Sequence, residues 1–316
     1  MHFSSKPKAP NEAINLLGKW TELSTAISSS SIIYRFVDRK ISYPALQRIA
    51  AGLFAIIAYF LVLTSYATAQ SLPPCGGDTV CKVGDRSYSI LMPDDWDGVT
   101  PLPVMMHFHA FLRRGRTVIN HPRIGSETKP RGVMLVAPSA QHRAWRFWQD
   151  DPADIDFADA VLADVAKRFP LDQSQIYISG FSFGAAMAWR YACARGDRIA
   201  GLMTMSGTIK QASTCANPPR QVRHVHGLND LWMSLPRGPD HDATNVVALW
   251  RKALRCGAGR LDGALTLAPG VEFAHFTWDT CAGNRSVTLD IHTGGHFIPT
   301  GWLGYQLDGL MSKTPG

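Results

Sequence analysis

The feature that most constrains the fold of this chain is a glycine-flanked serine at residues 180–184, Gly-Phe-Ser-Phe-Gly. A β-branched run at residues 175–179 precedes it, and strong helix formers follow from residue 185. A serine on so tight a turn between a strand and a helix projects above the end of a sheet, and the glycines leave room for the turn. We therefore expect Ser182 to lie at the carboxyl edge of an α/β sheet.

Apolar runs around this segment alternate between strand and helix periodicity. Residues 156–169, for example, carry apolar side chains every three or four positions, which is typical of an amphipathic helix. Strands are predicted at residues 87–93, 102–109, 132–138, 175–179, 201–206, 220–226 and 286–291, and helices at 156–169, 183–194, 243–255 and the C-terminus. This order predicts an α/β fold with a mostly parallel central sheet and helices on both faces.

An apolar stretch near the N-terminus predicts export. It covers about residues 49–63 and is followed by a small-x-small sequence that ends at Ala69. We interpret residues 1–69 as an N-terminal extension with a signal peptide cleaved after Ala69, and residues 70–316 as one catalytic domain. The stretch is shorter than the roughly 20 residues that cross a membrane, so membrane association is expected only if the segment stays uncleaved.

The cysteines support the same interpretation, because all six follow the predicted cleavage point. An even number of cysteines in an exported chain indicates disulfides. Nearest-neighbour pairing is one of several possible arrangements, and it joins Cys75 to Cys81, Cys193 to Cys215, and Cys256 to Cys281. No Cys-x-x-Cys spacing occurs, so zinc is not expected. The pair His107 and His109 could belong to a metal site, but alternation on a buried strand explains it better, so no other metal is expected.

The net charge of +7 does not indicate a nucleic-acid partner. Residues 1–69 contain seven Lys/Arg against three Asp/Glu, which leaves 25 against 22 in the rest of the chain. That balance is too even for a domain that binds a phosphate backbone, and no basic stripe is evident. We therefore expect no nucleic acid as a partner.

Two further segments complete a pattern with the serine. Residues 226–230 read His-Gly-Leu-Asn-Asp after a predicted strand, and residues 293–296 read Thr-Gly-Gly-His after the last strand. Together the three segments resemble the secreted polyhydroxybutyrate depolymerase and feruloyl esterase family of α/β-hydrolases. The resemblance runs from the first cysteine to the C-terminus. It implies an α/β-hydrolase fold without a cofactor, with Ser182 as nucleophile, His296 as general base and Asp230 as the acid that orients it.

Each predicted partner of the serine has a rival. Asp240 or Asp242 could replace Asp230, which is favoured because its loop closes a strand and matches the family. His292 could replace His296, but it lies in a predicted strand, where a structural histidine is more common.

The backbone around the serine offers donors for an oxyanion hole. The Phe183 N–H lies at the start of the predicted helix, where a developing negative charge is stabilised. A second donor is expected from the loop after residues 102–109, where the family has His-Gly and this chain has His109-Ala110. We assign that role to the Phe111 N–H.

Three tryptophans are candidate substrate-binding residues. The resemblance suggests that Trp145 and Trp148 form an aromatic wall at the sheet edge that carries the serine, although ordinary loop packing would also explain them. Trp232, just after the predicted acid, is a comparable candidate.

These residues together predict a secreted or periplasmic serine esterase that works through an acyl-enzyme. The expected substrates are hydroxyalkanoate oligomers, or feruloyl or acetyl esters of polysaccharide. An exported acyltransferase and a non-catalytic binding protein with the hydrolase fold are the alternatives.

Overall fold

The computed structural model describes residues 75–209 and 215–312, and the strands there form one sheet. The ten strands are β1 (Cys81–Val83), β2 (Arg86–Leu91), β3 (Leu102–Phe108), β4 (Met134–Pro138), β5 (Leu171–Phe181), β6 (Gly201–Met205), β7 (Gln221–Gly227), β8 (Arg260–Ala268), β9 (Val271–Cys281) and β10 (Arg285–His292). Their order in the sheet is β1-β2-β4-β3-β5-β6-β7-β10-β9-β8.

The centre of the sheet is parallel and both edges are antiparallel. Strands β4, β3, β5, β6, β7 and β10 pair in parallel. Strands β1 and β2 on one side, and β9 and β8 on the other, pair antiparallel. Parallel strands end at the same edge, so the loops after β5, β7 and β10 meet there, which is where ligands bind in such sheets.

Helices cover both faces of this sheet. They are α1 (Gly115–Ile119), α2 (Gly125–Thr128), α3 (Ala153–Arg168), α4 (Phe183–Arg195), α5 (Ala248–Ala253) and α6 (Trp302–Met311). Strand β4 contributes Met134 to the apolar cluster that contains Met187 of α4, and Leu135 to the cluster that contains Leu303 of α6. Because neighbouring strand residues point to opposite faces, these two clusters are the two covered faces of the sheet. The predicted α/β fold is confirmed.

The sequence prediction missed the hairpin of β8 and β9. Most of β8 is exposed, so it lacks the apolar alternation that identifies a half-buried strand. The signal that remained was Pro269-Gly270 between the two strands, where Gly270 takes a φ of +78° that favours glycine. The predicted helix at 243–255 was also too long, since a 3₁₀ segment, Ala243–Val247, precedes α5.

Three disulfides join neighbouring cysteines in the described ranges. Cys75 pairs with Cys81, Cys193 with Cys215, and Cys256 with Cys281. These are the nearest-neighbour pairs. Three disulfides are typical of a protein that folds in an oxidising compartment.

The predicted N-terminal extension, its signal peptide and the cleavage point after Ala69 all lie outside the described residues. Within the described ranges, no helix combines the length and the apolar character that a bilayer span requires.

Helix α4 crosses β3 at Gly184. A methyl group added at Gly184 would lie 1.9 Å from the Phe108 carbonyl oxygen, and one added at Gly180 would lie 2.2 Å from the Gly184 carbonyl oxygen. Both contacts are with backbone atoms, which cannot rotate away as a side chain could. The two glycines of the Gly-Phe-Ser-Phe-Gly segment therefore permit the close approach of strand and helix.

We predict that Gly184→Ala destabilises the protein by at least about 3 kcal/mol, because overpacking against backbone forces the helix away from the sheet. Thermal denaturation should show a fall in Tm of several degrees. Gly309→Ala in α6 is the control, since the added methyl group would have no atom within 4 Å apart from its chain neighbours and the backbone of its own helix. An equal Tm for the Gly184→Ala variant and the wild type would contradict the packing described.

Candidate active site

Ser182 lies on the turn between β5 and α4 in a strained conformation. Its φ of 58° and ψ of −123° are sparsely populated by non-glycine residues. The turn is held by the Ser182 N–H, which donates to the Met205 carbonyl at 3.0 Å, and by the Ala185 N–H, which donates to the Ser182 carbonyl at 2.9 Å. The Ser182 residue is 7% exposed. This is the backbone geometry of a serine nucleophile on a strand-to-helix turn.

The loops after β7 and β10 are hydrogen-bonded to each other beyond the ends of the strands. The Leu228 N–H donates to the His292 carbonyl at 2.8 Å, and the Asn229 N–H donates to the Gly294 carbonyl at 3.1 Å. The Asn229 side-chain amide also donates to the Thr293 carbonyl at 2.6 Å. These bonds fix the loop that carries Asp230 against the loop that carries His296.

Asp230 and His296 form a direct hydrogen bond, with 2.7 Å between His296 Nδ1 and Asp230 Oδ2. The other carboxylate oxygen, Oδ1, accepts from the N–H groups of Trp232 at 3.0 Å and Met233 at 2.8 Å. Burial alone would raise the pKa of Asp230, but the hydrogen bonds from His296 and Met233 outweigh it and lower the pKa. An ionised Asp230 holds the proton on Nδ1, which leaves Nε2 of His296 able to accept one.

The imidazole of His296 lies beside the serine turn. Its ring centroid is 4.7 Å from that of Phe181, the residue before Ser182. Among the hydrogen bonds of the described residues, none joins Ser182 Oγ to the imidazole. Catalytic hydrogen bonds of this kind often close only when substrate is bound, so the geometry is compatible with a Ser-His-Asp triad.

The three rival residues have other surroundings. Asp242 accepts a hydrogen bond from the Thr244 N–H at 2.8 Å, and Asp240 is exposed in the 3₁₀ turn before it. His292 is buried, and its Nδ1 accepts from the Gly294 N–H at 3.1 Å. Local hydrogen bonds therefore account for Asp242 and His292, and Asp240 lies at the surface.

His109 orients the peptide that carries the second candidate oxyanion donor. Its Nε2 accepts from the Ala140 N–H at 3.0 Å, so the proton sits on Nδ1, which donates to the Ala110 carbonyl at 2.7 Å. In a trans peptide the next N–H, that of Phe111, points opposite to this carbonyl. Burial lowers the pKa of His109 to about 4, so the imidazole stays neutral in this role at neutral pH.

The prediction that Trp145 lines the substrate site is wrong. The side chain is fully buried, and its ring packs edge-on against Phe108 with 5.0 Å between the centroids. Its Nε1–H donates to the His109 carbonyl at 2.9 Å. Trp145 therefore supports the Ala110–Phe111 loop from behind.

Four rings form an aromatic cluster next to Ser182, and the cluster consists of Phe111, Phe147, Trp148 and Phe183. The Phe183 ring lies 4.8 Å from Phe111, 5.2 Å from Phe147 and 6.1 Å from Trp148, measured between centroids. Phe111 is 47% exposed and Trp148 is 46% exposed. Phe147 belongs to the segment Trp145–Trp148 that was expected to form an aromatic wall, and its contact with substrate stays a prediction. The cluster offers an apolar surface beside the serine.

Trp232, the third tryptophan predicted to bind substrate, lies two residues beyond Asp230. It is 83% exposed, and its backbone N–H binds the Asp230 carboxylate. Its side chain is thus at the surface of the loop after β7 that carries Asp230, which we call the acid loop. Its contact with substrate stays a prediction.

A chain of buried histidines underlies the acid loop. His224 Nδ1 lies 2.8 Å from Thr204 Oγ1, and His224 Nε2 lies 3.1 Å from His226 Nδ1. His226 Nε2 lies 2.6 Å from the Met233 carbonyl oxygen, to which it donates. Burial lowers the pKa of both histidines, so they are neutral spacers that position the acid loop.

Within the described ranges, no group of three or more His, Cys, Asp or Glu residues is placed to hold a metal ion. The cysteines there are all in disulfides.

We predict that buried neutral histidines make the protein less stable in mild acid. Burial, followed by the nearby His226, lowers the pKa of His292 to about 4. The unfolded chain, with a pKa of about 6.5, gains the proton first, so stability is complete above that pH and falls as the pH drops toward 4. His292→Asn keeps an acceptor for Gly294 and should reduce the slope of unfolding free energy against pH by about 1 kcal/mol per pH unit.

The control for this measurement is His142→Asn. His142 is exposed and has a φ of 53°, a conformation that asparagine tolerates. Chemical denaturation at several pH values between 7.5 and 4.5 gives the slopes. A slope for His292→Asn equal to that of the wild type would contradict the assignment of His292 as a buried neutral residue.

Comparisons with known proteins agree with this architecture. The model of the family described as Phospholipase/Carboxylesterase matches residues 148–238. A probable feruloyl esterase C of Aspergillus niger is 28% identical over 53% of this chain and 65% of its own length, so the chain spans less than two thirds of that relative. Feruloyl esterase D of Neurospora crassa is 22% identical over 78% of this chain and 91% of its own length.

Solved structures share the fold. An acetyl xylan esterase from Aspergillus awamori superposes with a TM-score of 0.52 and 12% sequence identity, over 72% of this chain and 94% of that structure. At this identity the likeness concerns the fold alone. With the sheet order and the strained serine turn, these similarities show that the chain has the α/β-hydrolase fold, and its sequence is similar to those of feruloyl esterases.

Proposed function

We propose that the chain is an exported serine hydrolase of carboxylic esters, with Ser182 as nucleophile, His296 as general base and Asp230 as the acid that orients it. The observation that carries this proposal is the partly buried hydrogen bond between Asp230 and His296 beside a serine on a strained strand-to-helix turn. The three disulfides and the similarity to feruloyl esterases support the same function and an extracellular or periplasmic location.

Acylation follows from this arrangement. His296 Nε2 removes the proton from Ser182 Oγ as the oxygen bonds to the ester carbonyl carbon. The carbonyl oxygen becomes an oxyanion that accepts hydrogen bonds from the Phe183 and Phe111 N–H groups. When the intermediate collapses, the bond to the leaving alkoxide breaks and His296 returns the proton to it, which yields an alcohol and the acyl-serine.

Deacylation repeats the same steps with water. His296 Nε2 takes a proton from the water molecule as its oxygen attacks the acyl carbon. Collapse then breaks the bond to Ser182 Oγ, and His296 gives the proton back to the serine. The products are a carboxylic acid and free enzyme, and Asp230 stays ionised throughout because it stabilises the imidazolium that forms at each stage.

The aromatic cluster supports a proposal about the substrate. Its exposed members, Phe111 and Trp148, lie next to Phe183, whose N–H is a candidate oxyanion donor. Such a surface can pack against a planar feruloyl ring or the methyl groups of a hydroxyalkanoate. The proposed substrates are therefore feruloyl or acetyl esters of polysaccharide, or hydroxyalkanoate oligomers.

We predict that Ser182→Ala and His296→Ala each lower kcat for short p-nitrophenyl esters by about 10³-fold or more, and that Asp230→Asn lowers it by a similar factor. The enzyme for these assays is purified from the exported fraction. Sequencing the N-terminus of this purified protein also tests whether the chain is cleaved after Ala69. His292→Asn and Asp242→Asn are the matched controls and should retain activity.

Two outcomes would contradict the proposal. Full activity in folded Ser182→Ala protein would exclude Ser182 as the nucleophile. Loss of activity in His292→Asn or Asp242→Asn, with His296→Ala or Asp230→Asn still active, would assign the base or the acid to the rival residue.

A further inference from the structure

We propose that three arginines in the loops around the candidate oxyanion donor Phe111 select ester substrates that carry a carboxylate on their alcohol part. We call Arg113, Arg114 and Arg143 the arginine rim. This inference rests on the proposed esterase function and deepens it, because it names a chemical feature of the substrate.

The rim belongs to a strongly basic stretch of the chain. Residues 109–146 contain eight Lys/Arg and one acidic residue, although the charge of the domain as a whole is nearly balanced. The expectation that no basic cluster exists is therefore corrected. Four of the other basic residues are paired with carboxylates: Arg116 with Asp78, Lys129 with Asp94, Arg131 with Glu127 and Asp308, and Arg146 with Asp151.

The three rim arginines differ from these neighbours. All three residues are exposed. In the part of the chain that the structure describes, none of them forms an ion pair with a protein carboxylate. Arg123, which is also unpaired with an acid, instead donates to the Ile298 carbonyl at 2.7 Å. The rim guanidinium groups are thus available to an anion from outside.

Backbone contacts place the rim next to the candidate oxyanion donor. The Arg113 N–H donates to the Ala110 carbonyl at 3.1 Å, so Phe111 and Arg113 share one tight turn. The Leu112 N–H donates to the Arg143 carbonyl at 2.9 Å, which ties the second loop to the first. The Phe111 ring in turn contacts Phe183, the residue after Ser182.

The conformation of both loops is defined by these contacts. Leu112, His142 and Arg143 have φ values of 57°, 53° and 61°, which non-glycine residues seldom adopt. Residues keep such conformations when the surrounding structure determines them, and they concentrate at ligand-binding positions. The backbone that carries the rim is therefore fixed at the edge of the site.

A carboxylate is the group that such a rim binds best. The planar guanidinium matches a carboxylate with two parallel hydrogen bonds, and several like charges steer an anionic substrate toward the site. Two substrate classes proposed above can supply it. An acetylated acidic polysaccharide carries a uronate on the alcohol part of the ester, and a hydroxyalkanoate oligomer carries its terminal carboxylate there.

Two matched pairs of esters test the proposal and separate these sources. The first pair is the dimer of 3-hydroxybutyrate as free acid and as primary amide. The second pair is acetylated methyl glucuronoside and acetylated methyl glucoside. Within each pair the two members differ at the group that carries the charge, so the salt-sensitive part of the ratio of kcat/KM for the anionic and the neutral member measures the contribution of charge.

The wild type should favour the anionic member of at least one pair by roughly tenfold at low salt, and about 0.5 M NaCl should reduce the ratio. The triple variant Arg113→Gln, Arg114→Gln, Arg143→Gln should lose most of this ratio. The control is the triple variant Arg198→Gln, Arg220→Gln, Arg255→Gln. Arg198 and Arg220 are exposed just before β6 and β7, at the amino end of the strands, and Arg255 is exposed after α5. This variant should keep the ratio.

Preference for the anionic member of the first pair alone identifies the oligomer as the source of the carboxylate. Preference for the anionic member of the second pair alone identifies the uronate. Preference for the anionic member of both pairs supports recognition of a carboxylate from either source. No preference by the wild type in either pair would overturn the inference, and so would an unchanged ratio in the rim variant. Absence of hydrolysis of all four esters by folded wild type would overturn the esterase function itself, and the inference with it.

Discussion

The site depends on the hydrogen bonding that continues between the loops after β7 and β10, beyond the point where the strands end. Gly227 makes this possible, because a methyl group there would lie 2.4 Å from the Gly294 carbonyl oxygen and 2.5 Å from the Gly295 carbonyl oxygen. With no side chain at this position, the two loops approach closely enough for Leu228 and Asn229 to bond across. Asp230 is the next residue after Asn229, and His296 is the second residue after Gly294.

Buried polar groups hold the remaining parts of the site in the same way. Arg86 forms an ion pair with Asp154 at 2.8 Å, and the guanidinium lies 3.6 Å from the centre of the Phe157 ring. The second oxygen of Asp154 accepts from the Arg146 N–H at 2.8 Å, which fixes the start of the segment that carries Phe147 and Trp148. Buried charges are tolerated when they are paired and hydrogen-bonded, and here Asp154 also orients a loop at the carboxyl edge of the sheet.

The features that could be predicted from the sequence are those that depend on local sequence patterns. The parallel strands followed from apolar periodicity, and the position of Ser182 followed from two glycines between a strand and a helix. The role of Trp145 could not be predicted, because exposure is set by tertiary packing and a tryptophan in a loop is equally suited to a core or a surface. The arginine rim was missed because opposite charges elsewhere in the domain hide a local excess in the total.

The most direct test of the account is covalent labelling of the full, disulfide-intact chain with a fluorophosphonate, read by intact-mass and peptide mass spectrometry. Attack of Ser182 Oγ on phosphorus would displace fluoride and add one phosphonyl group, with His296 taking the serine proton. The account predicts a single adduct on the peptide that contains Ser182, formed much more slowly in the His296→Ala variant. An adduct on a different residue, or no adduct on folded protein, would contradict it.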